Sequence, residues 1–244
     1  MKKKDWYENW FSSAWYKILY RDRDVQEAEQ FVETLINYLQ PPGGSRMLDI
    51  ACGEGRYAGQ LAGHGYNVTG IDLSYQSIRK AKEMEADNLH FYVHDMRFPF
   101  YINYFDYAFN FFTSFGYFAN DRDHVMAAKS FASALKKDGL LVIDYLNVAY
   151  VLNNLVPEEV VEKEGVKFDI KRSLVNNHII KDIVVTDKEG AKHHYAERVA
   201  AFSLDDFLQL FRKAGMELVN TYGNYDMGVY DAVNSERLIM IFKK

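Results

Sequence analysis

The sequence has a single cysteine, no long apolar segment and no excess of positive charge. Because Cys52 stands alone among 244 residues, no intrachain disulfide can form and a zinc site built from several thiolates is excluded. No run approaches the roughly 20 apolar residues that span a bilayer. The basic start Met1-Lys2-Lys3-Lys4 precedes Asp5-Trp6-Tyr7, where a signal peptide requires apolar residues. We therefore expect a cytoplasmic protein that does not enter a membrane.

The charge balance bears on the class of partner. The 29 Lys and Arg residues against 34 Asp and Glu give a net charge of −5, so non-specific binding to nucleic acid is not expected. The apolar fraction of 48%, with 16% aromatic residues, is enough for a sizeable core. A chain of this length forms one large domain or one domain with an insertion. Small molecules are the expected partners, and the oligomeric state stays open.

The first 150 residues alternate between strand and helix patterns. A helix is predicted over 24–39, where Asp24 and Glu27 are spaced like a capping box, before Pro41 and Pro42 end the pattern. The following segments alternate in type: strands at 47–51, 67–72, 90–93, 105–110 and 139–145, and helices at 56–63, after Ser74, and at 122–136. This alternation predicts an α/β fold, a doubly wound and mostly parallel sheet with helices on both faces.

The pattern changes after residue 150. Segments 158–163, 166–174, 179–186 and 191–201 are β-rich and are separated by turn residues such as Glu164-Gly165 and Asn176-Asn177. We expect a small antiparallel β-meander, inserted before a helix that Ser203 caps and two final strands. The predicted organisation is a core with an N-terminal helical segment over 1–150, a meander lid over 151–201, and the completion of the core over 202–244.

The most informative stretch is a strand that runs into a glycine turn. Gly53 and Gly55 allow close backbone approach to a ligand, and the next helix begins with unpaired N–H groups. The spacing also satisfies the dinucleotide pattern G-x-G-x-x-G/A, with Asp72 as the ribose acid, so a nicotinamide-dependent dehydrogenase is an alternative. Asp49 argues against it, because a carboxylate there suits a ligand ammonium and would repel a pyrophosphate.

These residues resemble the motifs of the class I S-adenosylmethionine-dependent methyltransferases. Leu48 to Gly55 is similar to their first motif, Asp72 with Leu73 and Ser74 to the second, Asp95-Met96 to the third, and Phe105 to Tyr117 to the fourth. The resemblance implies a Rossmann-like seven-stranded sheet of order 3-2-1-4-5-7-6 with strand 7 antiparallel. It also implies S-adenosylmethionine as cofactor, and the meander makes small-molecule methyltransferases with a β lid the most similar members.

The resemblance assigns a role to individual residues. Asp49 would pair with the methionine ammonium, Asp72 would accept both ribose hydroxyls, and Asp95 would accept from adenine N6. Ala51 stands where many members have glycine, which should be tolerated because only the later glycines meet the ligand. Tyr20, with Tyr16, either folds over the cofactor as a lid or packs as an ordinary amphipathic helix. The candidate cofactor-binding residues are Tyr20, Asp49, Ala51, Gly53, Gly55, Asp72, Leu73, Asp95, Met96 and Phe111.

The fourth motif concerns the methyl acceptor. Asn110-Phe111-Phe112-Thr113 is not the Asn-Pro-Pro-aromatic signature for adenine or amide nitrogens, and the only cysteine lies in the glycine turn, which excludes a cytosine-C5 mechanism. N-, O- or S-methylation of a small molecule by direct displacement remains, with Ser114, Tyr117 and Tyr225 as pocket candidates. Orientation can supply much of the rate, so whether a general base acts stays open.

Two further points complete the expectations. His90 and His94 lie on one face of a strand but lack further ligands, so no metal site is predicted. A chain that binds the cofactor without catalysis, as a regulator, is the alternative from another functional class.

Overall fold

The computed structural model describes residues 6–21 and 25–244. These residues form two compact units: a larger one over 25–151 and 202–244, and a smaller one over 6–21 and 152–201. The capping box predicted for Asp24 and Glu27 lies outside the described side chains. No helix in the described ranges is long and apolar enough to cross a membrane.

The larger unit alternates strand and helix as predicted. Its strands are β1 (Arg46–Ile50), β2 (Asn67–Asp72), β3 (Leu89–Val93), β4 (Phe105–Asn110), β5 (Leu135–Leu146), β10 (Glu217–Tyr222) and β11 (Arg237–Lys243). Its helices are α3 (Val25–Leu39), α4 (Arg56–Gly63), α5 (Tyr75–Ala81), α6 (Asp121–Ala134), α7 (Val148–Asn153, which ends in the smaller unit) and α8 (Leu204–Lys213). Ser74 caps α5 by accepting from the Ser77 amide, and Ser203 forms a capping box with Asp206 at α8.

The seven strands form one sheet in the order β3-β2-β1-β4-β5-β11-β10. β1 is parallel to β2 and β4, whereas β11 is antiparallel to both β5 and β10. The predicted fold class and strand order are confirmed. Since β1 to β5 run the same way, their carboxyl ends meet at one edge, where β1 and β4 lie side by side.

One boundary differs from the sequence prediction. Helix α6 ends at Ala134 and β5 begins at once with Leu135, whereas the sequence analysis extends the helix to residue 136 and begins the strand at Gly139. The pairing of β4 with β5 shifts register between Phe105 and Tyr107. A Cβ on Gly139 would lie 3.0 Å from the carbonyl oxygen of Lys136. The glycine is therefore required by an irregularity inside the strand, not by a helix end.

The smaller unit is an antiparallel sheet with two helices packed on it. Its elements are α1 (Trp6–Phe11), α2 (Ala14–Leu19), β6 (Glu158–Lys163), β7 (Val166–Val175), β8 (His178–Thr186) and β9 (Lys192–Ala200). The strands pair in sequence order, and the turns at Glu164-Gly165 and Asn176-Asn177 have the positive φ values of tight hairpins. Trp10 is fully buried among Phe168, Val185 and other sheet residues. The N-terminal helices thus share a core with the meander, where the sequence analysis grouped them with residues up to 150.

Candidate active site

The glycine turn joins β1 to α4 through three left-handed residues. Ala51, Gly53 and Gly55 have φ values of +60°, +58° and +85°. A Cβ on Gly55 would lie 2.6 Å from the Phe91 ring, whereas one on Gly53 would meet nothing within 4 Å. Gly55 is therefore required by internal packing, and Gly53 borders open space. The positive φ at position 51 favours glycine, so Ala51 carries backbone strain. The sequence analysis did not predict this strain.

Asp49 lies on β1 immediately before this turn. Its side chain is 1% exposed, and its Oδ2 has no hydrogen-bond partner among the described residues. Burial, with a smaller contribution from the nearby Asp72, raises the pKa of Asp49 to about 7. A buried carboxylate oxygen without a donor is unfavourable, because it has lost water and gained nothing in return. A cationic or hydrogen-bond-donating ligand group would relieve that cost.

Asp72, at the end of β2, joins the turn to the neighbouring strand. Its Oδ2 accepts from the Gly53 amide at 2.9 Å and its Oδ1 accepts from the Ser74 amide at 2.7 Å. Burial raises the pKa of Asp72 even though both amides favour the ionised form. The next residue, Leu73, leaves 38% of its surface exposed, so an apolar side chain lies open beside this carboxylate.

The third predicted acid is already engaged. Nε and Nη2 of Arg97 donate to the carboxylate of Asp95 at 2.6–3.0 Å, and Nη1 of the same guanidinium reaches Asp123 at 3.0 Å. Partial burial raises the pKa of Asp95, but the hydrogen bonds from Arg97 hold it below its usual value. Met96 is half-buried. Adenine recognition by Asp95 stays a prediction. It requires that a carboxylate oxygen of Asp95 accept from adenine while it also accepts from Arg97.

The end of β4 carries the fourth motif. Phe111 is 4% exposed and stacks on Tyr57 of α4, with ring centroids 4.1 Å apart. Phe112 and Thr113 have φ values of +53° and +57°, which residues other than glycine rarely adopt. Ser114 and Tyr117 are half-buried. Nothing in the sequence pattern indicates the strained backbone of Phe112 and Thr113.

A buried carboxylate that the sequence analysis missed lies at the end of β5. Asp144 is fully buried and accepts from the Phe112 amide at 2.8 Å, from the Tyr225 hydroxyl at 3.1 Å and from Arg237 Nε at 2.7 Å. The ring of Tyr225 also packs against Phe31 in a tilted arrangement, with ring centroids 4.4 Å apart. Burial and the adjacent Asp144 raise the pKa of Tyr225 above its usual value, so its phenol stays protonated. No spacing rule connects Asp144 to Arg237, and only the fold brings them together.

Tyr20 belongs to the smaller unit. Its hydroxyl donates to Glu197 Oε1 at 2.6 Å and accepts from the Lys181 ammonium, both on the four-stranded sheet. Tyr20 and Tyr16 also contact each other, with ring centroids 4.9 Å apart. Packing within that unit is thus established for both tyrosines, and contact of Tyr20 with the cofactor stays a prediction.

Comparison with known proteins identifies the family. Residues 47–139, which include the glycine turn, Asp72 and the β4 loop, match the family model described as a methyltransferase domain. A protein of Geobacillus sp. (strain WCH70), whose name assigns it to the methyltransferases, is 23% identical over 94% of this chain and 97% of the relative. The methyltransferase domain over residues 47–139, the full-length methyltransferase relative and the shared fold support a class I S-adenosylmethionine-dependent methyltransferase. These enzymes use S-adenosylmethionine, and the nicotinamide alternative is thereby set aside.

Solved structures of methyltransferases share the whole fold. An S-adenosylmethionine-dependent methyltransferase from Clostridium acetobutylicum ATCC 824 superposes with a TM-score of 0.79 at 16% identity, covering 96% of this chain and 98% of that chain. The S-adenosylmethionine-bound structure of CalS10, an amino pentose methyltransferase from Micromonospora echinaspora, gives 0.69 at 19% identity, covering 95% and 97%. Both likenesses extend over the four-stranded sheet as well as the methyltransferase domain.

Proposed function

We propose that this methyltransferase acts on a small-molecule acceptor by direct displacement, and that the carboxyl ends of β1 and β2 hold its cofactor. The observation that carries the cofactor site is Oδ2 of Asp49, which is buried without a hydrogen-bond donor among the described residues, next to a turn whose Gly53 borders open space. An ammonium group is the ligand chemistry that this oxygen lacks. The α-amino group of S-adenosylmethionine supplies it.

The neighbouring residues fit the remaining parts of the cofactor. Asp72 would accept from the two ribose hydroxyls while its amide bonds to Gly53 and Ser74 hold the carboxylate in place. Leu73 would pack on the base with its exposed surface. The backbone N–H of Met96 would donate to the adenine ring, and Asp95 would accept from N6. When bound, S-adenosylmethionine supplies a methyl group on a sulfonium, an electrophile that needs no metal.

The acceptor side is assigned to the loop after β4. CalS10, which shares the fold over nearly the whole chain, is named an amino pentose methyltransferase, so a small polar acceptor suits this architecture. Ser114 is half-buried in this loop, and its hydroxyl can contact such a molecule. The Tyr225 hydroxyl donates a hydrogen bond to Asp144, and its raised pKa disfavours a tyrosinate base. The chain would act mainly by holding acceptor and methyl group in line.

The test combines binding with turnover. Mass spectrometry of purified protein and calorimetry with S-adenosylhomocysteine are expected to show binding. A metabolite panel that includes amino sugars, amines, phenols and thiols is then screened for S-adenosylhomocysteine production. Asp49→Ala should lose binding, whereas Asp106→Ala, at the opposite end of β4, should keep it. Tight binding with no turnover on the whole panel would favour a non-catalytic regulator, and absence of binding would overturn the proposed site.

A further inference from the structure

Three loops of the larger unit converge on the carboxylate of Asp144. Its Oδ2 accepts from the Phe112 amide after β4 and from the hydroxyl of Tyr225 after β10. Its Oδ1 accepts from Nε of Arg237, at the start of β11, at 2.7 Å, and Nη2 of the same guanidinium lies 2.6 Å from Oδ1 as an ion pair. Three hydrogen bonds and this ion pair therefore satisfy both oxygens of the Asp144 carboxylate.

The same pair holds the strained backbone after β4. The Thr113 amide donates to the main-chain oxygen of Asp144 at 2.9 Å, and Oγ1 of Thr113 accepts from Arg237 Nη2 at 3.1 Å. Two consecutive left-handed residues are strained and persist only where surrounding contacts enforce them. Here the enforcing contacts come from the main-chain oxygen of Asp144 and from the side chains of Asp144 and Arg237.

The loop so held lies beside the strand that carries Asp49. Asp49 pairs in register with Phe109 of β4, and Asn110 Nδ2 donates to the Ile50 carbonyl at 3.0 Å. Arg237 also lies over the rings of Phe112 and Tyr225, 5.5 and 5.7 Å from their centroids. A change in the Asp144–Arg237 pair would therefore move the loop and Tyr225 while leaving β1 and its turn intact.

We propose that Asp144 and Arg237 are positioning residues that fix the loop Phe112–Thr113 and the ring of Tyr225 on the acceptor side of the site. The proposal rests on the proposed function for what that side binds. Neither residue contacts the reacting atoms. Their effect is to keep the acceptor-binding groups in the one arrangement that places a nucleophile in line with the methyl group, where a misplacement of about 1 Å can cost on the order of 100-fold in rate.

The test separates this role from general stability. In Asp144→Asn the amide retains one acceptor oxygen but leaves the guanidinium without its counter-charge. Hydrogen exchange of the peptide spanning 110–114 is expected to rise by at least about tenfold while exchange in β1 and β2 stays unchanged. Affinity for S-adenosylhomocysteine should stay within about threefold, and kcat with an acceptor from the screen should fall at least about tenfold at an unchanged KM for S-adenosylmethionine.

Two further variants keep the test decisive. Asp106→Asn breaks a partly exposed pair with Lys136 at the opposite end of β4, keeps an acceptor oxygen for the Arg46 amide, and should change none of these quantities. If Asp144→Asn does not fold, Arg237→Lys keeps the charge but cannot serve Asp144 and Thr113 together, so loop exchange should rise in the same way. Unchanged loop exchange in a folded variant, or equal losses of S-adenosylhomocysteine affinity and kcat, would overturn the proposal. Failure of wild-type protein to bind S-adenosylhomocysteine would instead overturn the proposed function and leave the exchange result standing.

Discussion

Asp49 and Asp144 occupy comparable places and differ in what surrounds them. Both lie near the carboxyl ends of strands in the same sheet, with β4 between them, and both are almost fully buried. Protein donors bond to both oxygens of Asp144, whereas Oδ2 of Asp49 has no donor among the described residues. A saturated buried carboxylate stabilises the loops that bond to it, while one with a vacant oxygen is costly until a ligand arrives. The difference separates a structural carboxylate from a binding one.

Removal of the saturated carboxylate should have the largest effect. In Asp144→Ala the buried Arg237 loses its partner, and breaking such a pair from one side typically costs about 3–5 kcal/mol. We expect a loss of that size in the free energy of unfolding, measured by urea denaturation. Asp106→Asn, which breaks a partly exposed pair with Lys136 and keeps an acceptor oxygen for the Arg46 amide, should lose less than about 1 kcal/mol. Similar losses in the two variants would mean that Asp144 is not the buried support described here.

The unsatisfied carboxylate should make unliganded protein less stable as pH rises. The pKa of Asp49 is about 7 in the folded protein and 3.8 as its ordinary value, so the folded state holds this proton more tightly. Its contribution to stability is therefore lost progressively as pH rises from about 4 to about 7, on the order of 1.4 kcal/mol per pKa unit. Comparison of wild type with Asp49→Asn by urea denaturation at pH 5 and pH 8 isolates this contribution. A difference between the two proteins that does not grow with pH would contradict it.

Asp72 stands between these cases, since each oxygen has an amide donor yet the ribose hydroxyls would add to them. Deletion of a charged acceptor of two hydroxyls should exceed 1.4 kcal/mol, so Asp72→Ala should weaken S-adenosylmethionine binding by at least about tenfold. Calorimetry on the folded variant measures this. Unchanged affinity would show that Asp72 does not bind the cofactor and only stabilises the turn by accepting from the Gly53 and Ser74 amides.

The smallest effect concerns the turn after Asp49. Ala51 has a φ of +60°, a conformation that costs a residue with a Cβ about 1–2 kcal/mol. Glycine would remove this strain, but the greater conformational entropy of glycine in the unfolded state would offset part of the stabilisation. Ala51→Gly should therefore raise the free energy of unfolding by less than about 1 kcal/mol and leave S-adenosylmethionine affinity within about twofold. A destabilised variant would show that the Ala51 methyl group packs favourably enough to outweigh its backbone strain.

The sequence predicted what depends on local pattern. Strand and helix alternation, the hairpin turns and the order of the motifs led to the fold, the strand order and the methyltransferase family. Asp49 and Asp72 could be singled out because each ends a strand at a fixed distance from the glycine turn. The structure adds that one Asp49 oxygen is buried without a hydrogen-bond donor among the described residues. Sequence spacing does not show burial or hydrogen bonding.

What the sequence could not show depends on long-range packing. Asp144 ends an apolar strand and Arg237 begins another, 93 positions away, and only the antiparallel pairing of β5 with β11 makes them partners. The left-handed Phe112 and Thr113 carry residue types that give no turn signal, because their conformation is imposed by that pair. Trp10 packs with the meander for the same reason, since the strand residues that bury it, Val166 to Val185, lie more than 150 positions later in the chain.

The most direct measurement compares two ligands on two proteins. Calorimetry at pH 8, where Asp49 is ionised, gives the affinities of wild type and Asp49→Asn for S-adenosylmethionine and for an analogue that lacks the α-amino group. Because the amide keeps the shape but removes the charge, the substitution should weaken S-adenosylmethionine by about tenfold or more and the analogue by no more than about twofold. Equal losses for both ligands would mean that the vacant oxygen of Asp49 does not receive the ammonium, and the central distinction between the two carboxylates would fail.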